Sequence, residues 1–287
     1  MRRRLVILLG PTGVGKTDLS LGMAIDAGSP VLSCDSRQIY REMTIGTAVP
    51  DASQLSAVKH YFIQSESVTA PVSAWDYAEK ALTLIRRLFD AGHETLVMAG
   101  GSMLWIDAVC KGLDPMPETP PDIRDSLNRR LDEEGLPALV AELRRLDPVA
   151  AARMDLDNPR RVQRALEVCL ASGRPFSSFH SGTAQARDFE IEKIGLSRPR
   201  EALYARIDRR VDAMMAAGLL EEVRSLLPYR GLAPLQTVGY RELFAHIDGS
   251  CPLDEAVARI KQHSRNYAKR QLTWWRRDPA IRWKELD

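Results

Sequence analysis

Leu5-Val6-Ile7-Leu8-Leu9 is an unbroken apolar run that ends in a glycine. A strand covered on both faces has this texture, which predicts a central parallel strand. A helix is expected from about Lys16 through Leu19, Leu21 and Ala24. Pro30 to Cys34 reads as a second strand that carries Asp35 at its carboxyl end, and Tyr61 to Ile63 as a short third one. Between Ala74 and Ala91 the apolar positions Ala78, Leu82, Ile85 and Leu88 recur at spacings of three or four, and Gly92 stops the helix. Thr95 to Ala99 is apolar again and runs into Gly100-Gly101. Strands alternating with helices in this way predict an α/β fold with a parallel sheet.

The texture changes at "GLDPMPETPPD", residues 112–122, where four prolines in eleven residues mark a boundary. From Ile123 to about Ser172 the chain reads as helices rich in Arg, Asp and Glu. Asn158-Pro159 starts one of them, with Asn as N-cap and Pro at the first position, and Gly173 ends it. The sequence therefore predicts a core domain from residues 1–115 and 189–287, interrupted by an all-helical insertion over 116–188. "FEIEKIGLS" (189–197) reads as a strand returning to the sheet. One long helix is expected from about Pro199 to Leu227 and another from about Leu253 to Arg277.

Composition narrows the class without naming it. Across 287 residues, 45% are hydrophobic and 27% charged, an ordinary soluble mixture, and the net charge of +2 does not by itself announce nucleic acid. The four cysteines form no C-x-x-C pair, which argues against a zinc site or disulfide framework and suits a reducing cytosol. The start, "MRRRLVILLG", imitates a secretory leader, but its apolar run is too short and the next motif follows at once. A soluble, cytoplasmic and monomeric protein is expected, with no membrane contact and no obligate protein partner.

That next motif is Gly10-Pro11-Thr12-Gly13-Val14-Gly15-Lys16-Thr17, the G-x-x-x-x-G-K-T of a phosphate-binding loop between a strand and a helix. Its amides and the helix N-terminus would cradle adjacent phosphates, Lys16 would add charge, and the Thr17 hydroxyl suits a magnesium ion. A nucleoside triphosphatase usually places a metal-positioning Asp at the end of a later apolar strand. Here the strand 95–99 ends in Gly-Gly instead. The carboxylate nearest the loop by topology is Asp35, and ligands of open α/β sheets bind beyond the carboxyl ends of the strands. Asp35 reads either as a loop cap or as a group placed to touch chemistry. The segment after it, "DSRQIYREMTIGTAVP", holds amide, guanidinium and hydroxyl groups of the kinds that read and stack on bases.

With these residues in view, the sequence resembles the tRNA dimethylallyltransferases, also called tRNA isopentenyltransferases. The likeness spans essentially the whole chain, through "GPTGVGKT", "DSRQIYREMTIGTAVP", "GGSMLWIDAV", "NPRRVQRALEV", "VGYREL" and "YAKRQLTWWRR". It implies a P-loop NTPase-like parallel sheet flanked by helices, with the helical insertion facing tRNA. It also implies transfer of the dimethylallyl group of dimethylallyl diphosphate to the exocyclic amine of the adenosine 3′ to the anticodon, with magnesium required. The phosphate loop would then hold a leaving diphosphate, and Asp35 would accept the amine's proton. The resemblance points to Arg210 as a further charge on the diphosphate. Ser36, Arg37 and Gln38 would line the path of the flipped base. Ser102, where the family more often has Thr, resembles a tRNA-contact position.

Taken from the residues alone, Arg209 and Arg210 also read as an exposed helix face. Arg160, Arg161 and Arg164 project from a helix whose apolar stripe includes Val162 and Leu166, and they read either as a salt-bridged face with Glu167 or as RNA contacts. The resemblance favours RNA for this stretch, Gln163 included, and for Arg124. Gln236, Thr237, Val238, Gly239, Tyr240 and Arg241 would complete the RNA-facing surface. The last helix carries Arg259, Lys261, His263, Arg265, Lys269, Arg270, Arg276 and Arg277, with Trp275 expected in the core and Val257, Ile260, Ser264, Tyr267 and Leu272 as its buried stripe. A small-molecule kinase using ATP would share the loop but leave these arginines unexplained. A non-catalytic RNA-binding module would leave the loop unexplained.

Overall fold

The computed structural model describes residues 3–180, 182 and 185–287. Met1 and Arg2, at the head of the opening run, and Ser181, Thr183 and Ala184, within the stretch 116–188, lie outside them. The described chain forms two compact units, one from residues up to 111 together with 186–287 and one from 112–185.

The first unit is built on a sheet. Strands β1 (Arg4–Leu9), β2 (Val31–Cys34), β3 (His60–Tyr61), β4 (Thr95–Gly100), β5 (Glu190–Ser197) and β6 (Ile281–Glu285) run parallel in the order β3-β2-β4-β1-β5-β6. β1 lies between β4 and β5 with Leu5 to Leu9 all buried, so its apolar run has protein on both faces. Register then decides what meets at the carboxyl edge. Leu9 pairs with Gly100 and Gly195, and Gly100 pairs with Cys34. Gly10, Asp35 and Gly101 therefore leave the sheet side by side. The Gly100 position tolerates no side chain, because a Cβ there would lie 1.9 Å from the Cys34 carbonyl oxygen.

The helices follow in chain order: α1 (Lys16–Asp26), α2 (Ala52–Ala57), α3 (Ala74–Asp90), α4 (Met103–Lys111), then α5 (Pro121–Glu134), α6 (Leu136–Leu146), α7 (Pro148–Arg153) and α8 (Pro159–Ser172), and finally α9 (Arg200–Ala216), α10 (Leu219–Ser225), α11 (Tyr240–Ile247) and α12 (Leu253–Trp275). α3 begins at a capping box in which Ser73 and Asp76 satisfy each other's amides. α1 begins differently. Its N-cap is Gly15 at φ 108°, a left-handed conformation that glycine adopts without strain, and no side chain caps it.

Helices α5 to α8 make up most of the second unit. Leu127, Leu139, Leu143, Ala151, Val162, Ala165 and Leu166 form its core. Asp147, almost fully buried, accepts from the Ala150 amide and from both the amide and hydroxyl of Ser177, so it starts α7 and pins the chain after α8.

Several elements depart from their predicted form. The helix expected from Pro199 to Leu227 breaks at Gly218, which takes φ 97° and separates α9 from α10. The strand expected over Tyr61 to Ile63 stops at Tyr61, since Phe62 takes φ 64°. The chain then turns back so that the amides of Gln64 and Glu66 donate to the carbonyls of Gln38 and Ile39. The buried stripe of α12 is Ala256, Ile260, Ala268, Gln271 and Trp275; Ile260 and Trp275 are buried as expected, while Val257, Ser264, Tyr267 and Leu272 are only half-buried. β6 was not anticipated, although Ile281-Arg282-Trp283-Lys284-Glu285 alternates apolar and charged residues as an edge strand does.

Candidate active site

The loop after β1 is shaped by bonds that use some of its amides and leave others free. The Val14 amide donates to the Pro11 carbonyl, and the Thr12 amide to Oε1 of Gln271 on α12. Lys16 Nζ donates to the carbonyls of Gly10 (2.8 Å) and Pro11 (3.0 Å). Two arginines also hold the loop, Arg206 Nε on the Gly13 carbonyl and Arg198 Nε on that of Val14, each at 2.9 Å. With these carbonyls occupied, the loop leaves the amides of Gly13, Gly15, Lys16 and Thr17 without a protein acceptor among the described residues. Free amides at an uncapped helix N-terminus form an anion cradle.

This cradle opens into a cavity of ≈ 760 Å³, lined entirely by residues of the first unit. Thr12, Gly13, Gly15, Lys16 and Thr17 line it, whereas Gly10, Pro11 and Val14 do not. Val14, expected among the diphosphate ligands, is a core residue: its side chain is fully buried against Leu8, Leu196 and Ile207, and its amide is spent on Pro11. The Thr12 amide is likewise committed to Gln271. The cradle proper therefore starts at Gly13.

Charge in the cavity is lopsided. Lys16, Arg37, Arg206, Arg209, Arg210, Arg241 and Arg270 line it against the carboxylates Asp18 and Asp35. Burial lowers the Lys16 ammonium to a pKa of about 8, the Arg210 charge pushes the same way, and Asp35 opposes both. Burial also lowers the Arg210 guanidinium; Asp35 supports its charge while Arg206 opposes it. Cations held at this cost are stabilised when an anion arrives.

Asp35 faces this group from β2. Its Oδ1 accepts from the amides of Arg37 (2.9 Å) and Gln38 (3.3 Å), while Oδ2 accepts no hydrogen bond among the described residues. The loop-cap reading of Asp35 therefore holds for one oxygen, and the other oxygen is not spent on the turn. Arg37 is bonded through Nη1 to the Ser36 carbonyl, and its buried Nε has no partner. Gln38 donates to the carbonyls of Thr47 and Ala48, folding the segment back on itself. Ile39, Tyr40 and Met43 are buried, so this stretch is a packed loop and not a solvated one. Tyr267 from α12 closes the wall; burial, then Asp35, pushes its phenol up to about 12, and Arg270 stands over its ring.

The far end of the Asp35 segment is gripped by a single carboxylate. Glu222 on α10 accepts from the amides of Thr44, Ile45 and Gly46 and from the Tyr240 hydroxyl. Glu222→Ala would leave these donors unpaired and is expected to cost on the order of 3 kcal/mol. Chemical denaturation checks this; a loss below about 0.5 kcal/mol would show that the loop is held by other means.

Two residues expected to touch RNA in this unit lie beneath the surface. Tyr240 is fully buried, with its hydroxyl committed to Glu222, so it supports the turn 236–241 from below. Ser102 is also buried; its Oγ accepts from the Ser36 amide (2.7 Å) and donates to Ser36 Oγ (3.0 Å), which makes it a prop for Ser36. Gln236, Thr237, Val238, Gly239 and Arg241 do line the cavity, as do Ser36, Arg37 and Gln38.

Within the second unit, Glu167 is buried and receives both Arg124 (3.3 Å) and Arg164 (3.0 Å), and Arg164 also donates to Thr119. Those two arginines take the salt-bridged reading. Gln163 donates to Asn128, and Arg161 lies 4.0 Å from Asp155. Arg160 is exposed. Val162, expected at an RNA surface, is fully buried in the core of this unit because it belongs to the apolar stripe of α8.

The sequence reading missed Arg198, Arg206 and Gln271. Arg206 stands one helical turn before Arg210, a spacing that puts both on one face of α9. Gln271 continues the buried series Ile260, Ala268, Trp275, and a polar residue on an apolar stripe is the signal that was available.

Known proteins resemble this chain along nearly its whole length. The family model described as IPP transferase matches residues 38–278. tRNA dimethylallyltransferase 2 of Parabacteroides distasonis is 49% identical over 99% of this chain and 94% of its own length. A tRNA dimethylallyltransferase 2 of Porphyromonas gingivalis is 50% identical over 97% and 93%. Among solved structures, the tRNA isopentenylpyrophosphate transferase of Bacillus halodurans superimposes with a TM-score of 0.73 at 34% identity, covering 100% of this chain and 92% of that one. A eukaryotic dimethylallyltransferase acting on tRNA shares the fold, with a TM-score of 0.81 at 21% identity over 99% of this chain and 74% of that one. The family match over most of the chain and relatives at about half identity show that the chain belongs to the tRNA dimethylallyltransferase family.

Proposed function

We propose that the cavity binds dimethylallyl diphosphate on the 10–17 loop and receives the adenosine 3′ to the anticodon of a tRNA beside Asp35. The observation that carries this reading is that Asp35, whose Oδ2 accepts no hydrogen bond among the described residues, lines the same cavity as an anion cradle. Family membership makes the protein a transferase acting on tRNA; donor, acceptor atom and residue roles are the proposal.

In the reaction, the exocyclic nitrogen forms a bond to the allylic carbon as the bond from that carbon to the diphosphate oxygen breaks. The electron pair of the broken bond leaves with the diphosphate. Free amides of Gly13, Gly15, Lys16 and Thr17, with the Lys16 and Arg210 charges, stabilise it there. The amine's proton passes to Asp35 Oδ2. The adenosine must leave its stack to reach this depth, and Ser36, Arg37, Gln38, Tyr267 and the 236–241 turn provide polar and aromatic wall for it.

The residues present fit a magnesium ion. Thr17 lines the cavity, and its hydroxyl makes no hydrogen bond among the described residues. These residues hold no cluster of three or more His, Cys, Asp or Glu, so magnesium would be held by the Thr17 hydroxyl and by phosphate oxygens of the donor, with water filling its other positions. Magnesium would supply further charge stabilisation to the leaving group.

The test is incubation with unmodified tRNA, magnesium and either labelled dimethylallyl diphosphate or labelled ATP. Prenyl label is expected in the tRNA; phosphate transfer from ATP would replace this reading with a kinase. Among the described residues no helix is long and apolar enough to cross a membrane. Because Arg209, Arg241 and Arg270 lie at the cavity without an opposing carboxylate closer than 4.0 Å among the described residues, tRNA affinity should fall with salt. A log–log slope of about −2 to −3 is expected from filter binding between 50 and 300 mM salt, on the order of three phosphate contacts. A slope near zero would remove RNA from this surface.

A further inference from the structure

Gln271 is an uncharged side chain buried in the last turns of the most basic helix. Both ends of its amide are used. Oε1 accepts from the Thr12 amide of the phosphate loop (2.9 Å), and Nε2 donates to the Gly101 carbonyl beyond β4 (2.8 Å). A second observation is the fit against Gly101. A Cβ there would lie 2.6 Å from Gln271 Nε2, with Lys16 Nζ 3.8 Å away, so a side chain at 101 would displace the glutamine's amide.

The bonds continue on the other side. Next to Gly101 stands Ser102, whose amide donates to the Cys34 carbonyl and whose hydroxyl holds the amide of Ser36, the neighbour of Asp35. One buried amide group thus ties the anion cradle to the strand end that shapes the Asp35 turn. We propose that Gln271 is a positioning residue for the diphosphate. It withdraws the Thr12 amide from the ligand and sets the loop so that the amides from Gly13 onward converge, and it keeps the loop in step with the acceptor side. A buried side-chain amide suits this task because it accepts from one backbone group and donates to the other at once, without adding charge beside Lys16.

This inference rests on the diphosphate reading of the cavity, and inorganic pyrophosphate with magnesium separates the two. Calorimetry should show pyrophosphate binding to the wild-type protein. Gln271→Met keeps length but removes both bonds, and should weaken that binding about tenfold or more, as displaced ligand-orienting groups do. Donor KM should rise by a similar factor, while the Kd for tRNA stays within twofold. Hydrogen exchange gives a second readout: the peptide spanning 10–17 should exchange faster in the variant while peptides of α5 to α8 keep their wild-type rates. Equal pyrophosphate affinity in the two proteins would overturn the role of Gln271 alone. A loss of pyrophosphate and tRNA binding by the same factor, with faster exchange throughout, would make Gln271 a general core residue and also overturn it. Failure of the wild-type protein to bind pyrophosphate would remove the diphosphate reading, and this inference with it.

Discussion

Asp35→Asn is expected to lower the single-turnover rate of prenyl transfer by about 10²- to 10⁴-fold, with tRNA affinity nearly unchanged. Asparagine is the informative replacement because the carboxylate has two separable jobs. Oδ1 caps the turn by accepting from the amides of Arg37 and Gln38, and an amide oxygen can still do this. Oδ2 is free to take a proton from the exocyclic amine, and the amide nitrogen that would replace it cannot. Alanine removes both functions and would confuse lost chemistry with a loosened Ser36-Arg37-Gln38 turn. Rapid-quench measurement with saturating donor isolates the chemical step. A rate within about threefold of wild type would assign proton acceptance to another group.

Lys16→Ala is expected to lower kcat/KM for the donor by about 10²- to 10³-fold, the usual effect of removing one preorganised stabiliser of a developing anion. The same residue should impose a pH dependence on pyrophosphate binding. In the free protein burial and the Arg210 charge bring the Lys16 pKa down to about 8. The ligand favours the charged amine and raises that pKa. Affinity should therefore be highest below pH 8 and fall as pH rises through it, and this fall should vanish in Lys16→Ala. Calorimetry from pH 7 to 9.5 checks both statements; an unchanged pH profile in the variant would place the titration elsewhere. Linkage gives the matching stability effect. Because the folded protein releases this proton near 8 and the unfolded chain near 10.5, Lys16 weakens the ligand-free fold below pH 8 and this penalty lifts as pH rises between those values.

Much of the core was legible along the chain. Five buried apolar residues ending in glycine, then G-x-x-x-x-G-K-T, identify strand, cradle and helix from neighbouring residues alone. Asp35 was legible because a strand end is a topological position. The arginines were legible as a class but not individually. Arg124 and Arg164 are taken up by Glu167, and Arg206 and Arg198 grip loop carbonyls, differences that depend on distant partners. Tyr240 and Ser102 sit among polar, functional-looking neighbours and yet face inward, since one residue's shift along a turn reverses its exposure.

The sequence by itself determined the parallel α/β class, the phosphate loop and the carboxylate beside it, because these follow from short-range periodicity and spacing, while the family came from the resemblance its motifs carry along the chain. Only the tertiary structure decided which loop amides remain free, which oxygen of Asp35 is unspent, and that Gln271 belongs to the site. The physical reason lies in where the partners come from. Thr12 finds Gln271 across 259 residues, and Ser36 finds Ser102 across 66. A hydrogen bond's partner is fixed by strand register and helix packing, and no local pattern at either end records it.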